Sequence, residues 1–128
     1  MIGEHPTPPA LSTIGTDKAG FVYQTEAGMV ENLGPDLPPD EARVLAVTQG
    51  RLAGKAFGET VVVAAWKAKP SWFVVTSEDR VVSIELQQVL ARRMGATVLD
   101  LKASHMSILS HPAEIAAVIG QALAKVMA

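Results

Sequence analysis

The chain has 128 residues, 48% of them hydrophobic, with 11 basic and 13 acidic side chains and a net charge of −2. That is enough chain for one domain, and about two thirds of its unfolded surface can be buried. The even charge balance argues against a broad nucleic-acid surface, which needs a clustered basic excess, and the absence of cysteine excludes disulfides, thiolate metal sites and cysteine nucleophiles.

No run approaches the roughly 20 apolar residues of a membrane span. The N-terminus, MIGEHPTPPALS, lacks a charged stretch followed by an apolar one, so no secretory signal is read there. A cytoplasmic location is expected. Residues 1–20 carry Pro6, Pro8, Pro9, Gly3, Gly15 and Gly20 and read as irregular chain. Phe21-Val22-Tyr23 is a short apolar patch. Thr25 is placed to cap a brief helix over Glu26 to Leu33, which Gly34-Pro35 ends.

Asp36 to Asp40 reads DLPPD, and a first-turn proline loses no needed N–H. The pattern predicts a helix from there to about Ala53 with Val44, Leu45, Thr48 and Leu52 on one face. Residues 21–66 thus form a helical segment, of which residues 21–58 read either as a small packed subdomain or as a cover over a ligand. Val61 to Ala65 reads as a strand by β-branching, with a helical turn or an extended linker as the competing reading. Pro70 pushes Lys69 out of helical geometry.

Residues 67–128 carry the clearest pattern. Trp72 to Thr76 is an apolar run without alternation, as expected for a strand of a parallel sheet covered on both faces. Ser83 caps a helix with Ile84, Leu86, Val89, Leu90 and Met94 at helical spacing, and Gly95 stops it. Thr97 to Leu101 is the next strand. A last helix begins at Pro112, capped by Ser110 or His111. Its apolar stripe of Ile115, Val118, Ile119, Ala122, Leu123 and Val126 should pack back on the sheet. The fold class is α/β: a helical segment followed by a βαβα unit with parallel strands.

Ligands of open parallel sheets sit beyond the carboxyl ends of the strands. Asp79 lies just past the first strand and His105 just past the second. Adjacent strands lie about 4.8 Å apart, so the two side chains are within reach of each other. A carboxylate accepting from one ring nitrogen fixes the tautomer and frees the other nitrogen as a general base. The competing reading pairs Asp79 with Arg80 or makes it a cap, and leaves His105 a loop histidine. A nucleophile is harder to find. Ser104 and Ser107 flank His105 too closely, Ser83 and Ser110 read as caps, and no Gly-x-Ser-x-Gly pentapeptide occurs. His5, His105 and His111 lack metal-ligand spacing, so no metal or other cofactor is expected. Trp66 and Trp72 read as packing residues.

The segments WKAKPSWFVVTSEDR, ELQQVLARRMGAT and SHMSILSHP resemble the C-terminal part of α/β-hydrolases. The likeness is greatest to the subgroup with plant methylesterases, hydroxynitrile lyases and bacterial esterase-like proteins. DLPPDEA and AFGE resemble the helical cap of that family. The resemblance spans residues 20–128 and implies that Asp79 and His105 are the acid and the histidine of a Ser-His-Asp triad. It implies ester hydrolysis through an acyl-enzyme on a small ester-type substrate. The family's first six strands, oxyanion-hole loop and nucleophile elbow would lie before Met1. The expectation is therefore an incomplete α/β-hydrolase fold with little or no activity alone. Two strands are too few for an independent parallel sheet, and an open apolar edge invites pairing. The expected partner is a second copy or a complementary N-terminal hydrolase fragment. The rival reading is a non-catalytic homo-oligomeric or partner-binding module that uses the cap and the open edge.

Overall fold

The computed structural model describes residues 7–127. Gly3, His5 and Pro6, singled out above, lie outside them. After a 3-10 turn at Pro9–Thr13, β1 (Ile14–Thr16), β2 (Phe21–Gln24) and β3 (Leu52–Ala53) form an antiparallel sheet in the order β1-β2-β3. Residues 14–16 were expected to be irregular. They become a strand because Asp17 closes a tight hairpin against β2: its Oδ1 accepts the Ala19 and Phe21 N–H groups at 2.9 and 3.0 Å. Gly20 completes the turn at φ 82°, the left-handed region that glycine enters without strain.

Thr25 caps the helical stretch that follows, its hydroxyl accepting from the Gly28 N–H at 3.1 Å. This stretch is α1 (Glu26–Gly28) continued by a π-helical turn at Met29–Leu33. The next helix, α2 (Pro39–Thr48), opens on prolines as expected but ends earlier than Ala53. The Gln49 side chain stops it: Nε2 donates to the Gln24 carbonyl at 2.8 Å and Oε1 accepts the Gln24 N–H at 2.8 Å, and the chain turns into β3. The face of α2 also differs from the predicted one. Ala42 is buried, whereas Val44 is 58% exposed. Val61 to Ala65 is not a strand. Val62 is 94% exposed, and β-branching without a neighbouring edge to pair with does not make a strand.

The βαβ unit follows the sequence closely. β4 (Trp72–Thr76) pairs in parallel with β5 (Thr97–Leu101), Trp72 opposite Thr97 and Thr76 opposite Leu101. Between them runs α3 (Ile84–Met94), with the Ser83 hydroxyl accepting the Leu86 N–H at 3.3 Å and Gly95 in the left-handed conformation at the end. Lys67 Nζ and Arg93 Cζ lie over the Trp66 ring, 5.7 and 6.0 Å from its centre. Beyond β5 come a helical turn, α4 (Ser107–Ser110), and α5 (Pro112–Met127). The expected packing of α5 is only partial. No residue of it is buried, and Ile119, Leu123 and Val126 are 61, 59 and 66% exposed. A two-stranded sheet is too narrow to cover a helix of 16 residues. Among the described residues no helix is long and apolar enough to cross a membrane.

Candidate active site

The parallel ladder does not stop at the ends of β4 and β5. The Ser77 N–H donates to the Leu101 carbonyl at 3.0 Å and the Glu78 N–H to the Ala103 carbonyl at 3.1 Å. The two departing loops therefore run side by side for a further turn. This brings Asp79 and His105 together: His105 Nδ1 lies 2.9 Å from Asp79 Oδ2.

Asp79 is fixed from several directions. Its Oδ1 accepts the Val81 and Val82 N–H groups at 2.7 and 2.9 Å, and its side chain is 5% exposed. The Thr76 hydroxyl sits 3.1 Å from Oδ2. Burial raises the carboxyl pKa, but the hydrogen bonds from His105, Val82 and Val81 and the charge of His105 outweigh it. The net result is a pKa below the ordinary carboxylate value. Arg80 does not pair with Asp79, since its guanidinium reaches the Glu31 carbonyl at 3.1 Å.

The loop that carries Asp79 is clamped by Gln87 of α3, which is 3% exposed. Its Oε1 accepts the Thr76 N–H at 2.8 Å, and its Nε2 donates to the carbonyls of Thr76 and Val82 at 3.2 and 2.8 Å. Sequence reasoning passed over Gln87. A polar residue on the inward face of an amphipathic helix was the available signal.

His105 is half exposed, at 38% of its side chain. Among the described residues its Nε2 has no hydrogen-bond partner. Beside it lies a cleft of about 250 Å³ whose walls include Phe73, Val74, Leu90 and Ser107. The neutral tautomer with its proton on Nδ1 donates to Asp79 and leaves Nε2 a lone-pair acceptor, able to take a proton from a neighbouring hydroxyl.

Ser107 lines the cleft with His105, while Ser83, Ser104 and Ser110 occupy other positions. Ser83 caps α3. Ser104 is wholly buried, its hydroxyl bonded to Asp36. Ser110 does not cap α5. Its hydroxyl lies 2.9 Å from Asp36 Oδ2 and 2.9 Å from His111 Nδ1, while the His111 carbonyl accepts from the Ile115 N–H at 3.2 Å. Among the described residues, no three His, Cys, Asp or Glu side chains are grouped to hold a metal ion.

Helices around a small parallel two-stranded sheet make this an α/β protein, and the sequence match agrees. Residues 3–118 fit the model of the alpha/beta hydrolase family. The chain belongs to that family. No curated protein matches it.

Proposed function

We propose that this chain is a serine-esterase-like portion of an α/β-hydrolase, in which Asp79 orients His105 and His105 acts as general base toward a serine the chain does not itself supply. One observation carries the reading: the contact of 2.9 Å between His105 Nδ1 and a buried, N–H-anchored Asp79. In the reaction, Nε2 removes the proton of an attacking hydroxyl, and the Asp79 carboxylate stabilises the imidazolium that forms. The same proton then goes to the leaving alcohol as the acyl-enzyme forms, and water repeats the cycle to release the acid. Without a Gly-x-Ser-x-Gly elbow and its oxyanion hole, most of the rate enhancement has no source. The chain alone is therefore expected to hydrolyse esters weakly or not at all.

Fluorophosphonate labelling of the folded chain, read by intact mass, tests this. No adduct is the expected result. A single adduct that disappears in His105→Ala would show an activated serine within the chain and overturn the assignment of the nucleophile to another segment.

A second reading is supported by the surface. The sheet of β4 and β5 has two strands, and α5 leaves Ile119, Leu123 and Val126 open. On this reading the chain is a homo-oligomeric module whose interface includes the sheet edge and α5. Association that is unchanged in His105→Ala separates this role from catalysis.

A further inference from the structure

The loop that carries His105 is not held by its own strand alone. Both residues flanking His105 are tied to the segment that precedes α2. On one side, the Ser104 N–H donates to Asp36 Oδ2 at 2.9 Å and the Ser104 hydroxyl donates to Asp36 Oδ1. On the other side, the Met106 N–H donates to the Leu33 carbonyl at 3.2 Å and to the Ser104 hydroxyl oxygen at 3.2 Å. Further along, the Ser110 hydroxyl lies 2.9 Å from Asp36 Oδ2, with His111 Nδ1 4.0 Å from the same oxygen. One carboxylate thus takes hydrogen bonds from both ends of the turn in which His105 sits.

Ser104 makes this arrangement consequential. It is 0% exposed, so its N–H and hydroxyl have no access to solvent. If Asp36 is removed, both donors are left buried without an acceptor, a situation proteins avoid by moving the chain. The movement reaches His105 first, since it lies between Ser104 and Met106.

We propose that Asp36 is a positioning residue for His105, a carboxylate on the segment before α2 that fixes the histidine loop so that Nδ1 faces Asp79. The inference rests on the reading of Asp79 and His105 as an acid–histidine pair. It adds that the pair is assembled across the molecule, from a residue more than sixty positions earlier in the chain. Asp36 touches no reacting atom and acts through Ser104 and Ser110.

The tautomer of His105 reports this directly. A neutral imidazole held against Asp79 carries its proton on Nδ1, whereas a free one favours Nε2, because the partner of one nitrogen decides the other. Long-range proton–nitrogen NMR spectra of the full chain are recorded at alkaline pH, where imidazoles are neutral. The wild type is expected to show His105 as the Nδ1–H form. Asp36→Ala is expected to lose most of that form to Nε2–H. Asp40→Ala, which removes a carboxylate 96% exposed in the first turn of α2, should leave it unchanged.

A wild-type His105 in the Nε2–H form would overturn the acid–histidine reading and this proposal with it. An Nδ1–H form that survives Asp36→Ala, even with lowered thermal stability, would overturn the positioning role alone. If Asp36→Ala does not fold, Ser104→Ala gives the answer. It deletes the hydroxyl's bond to Asp36 but keeps the backbone one, so a partial loss of the Nδ1–H form is expected and an unchanged tautomer overturns the proposal.

Discussion

Asp79 and Asp36 are both carboxylates that accept hydrogen bonds from loops, and both are held below the ordinary value of 3.8. For each, burial pulls the pKa up. The donors outweigh it: His105, Val82 and Val81 at Asp79, and Ser104 and Ser110 at Asp36. A carboxyl whose pKa is lower folded than unfolded stabilises the fold fully above the unfolded value, and that contribution is lost as the pH falls through the folded one. The contribution of these two carboxyls should therefore be constant through neutral pH and fall below about pH 4. Thermal melts from pH 7 to pH 3 check this, and Asp79→Asn should show a shallower acid loss than the wild type. Asp17, lowered chiefly by the Phe21 N–H, keeps part of the slope in that variant. An equal loss in both proteins would mean that Asp79 is not anchored as described.

At the scale of elements, the βαβ unit is the part with the clearest local signals. Ser83 starts α3 and Gly95 ends it, and the end can be tested alone. Gly95 sits at φ 58° with open space around the position of a Cβ. Only backbone strain then opposes a side chain, which costs about 1 kcal/mol for a non-glycine residue in this region. Gly95→Ala should lower unfolding free energy by about 1 kcal/mol in urea titrations, with the slope unchanged. The antiparallel sheet was less legible. β1 and β3 have three and two residues, too short for a periodic pattern to register, and their pairing depends on Asp17 and Gln49 side chains from outside the strands.

The molecule as a whole exposes a large surface, and apolar side chains are part of it. A compact monomer of 13.5 kDa exposes about 6,500 Å², whereas this chain exposes 8578 Å². The excess, about 2,000 Å², falls in the range each partner contributes to a large obligate interface, about 1,000–2,500 Å². Ile119 and Leu123, on consecutive turns of α5, are both exposed. The chain is expected to associate at micromolar concentration in sedimentation velocity experiments. Ile119→Glu combined with Leu123→Glu should shift it toward monomer, since two charges cannot be desolvated at an apolar contact. A wild-type chain that stays monomeric throughout would remove the support for the oligomeric reading.

What the sequence determined by itself was local: the limits of β4, α3 and β5, the caps at Thr25 and Ser83, the stop at Gly95, and the placing of an acid and a histidine after successive strands. Caps, turn residues and unbroken apolar runs act over a few positions, so they are written where they act. Only the tertiary structure decided the rest. Val61 to Ala65 looked like a strand, yet it pairs with no other strand among the described residues. The stripe on α5 looked like a core face, yet the sheet beneath it is two strands wide. Asp36 looked like part of a helix start, yet it accepts from Ser104 and Ser110 across the fold. Each depends on which distant surface is present to receive a side chain, and no local pattern encodes that.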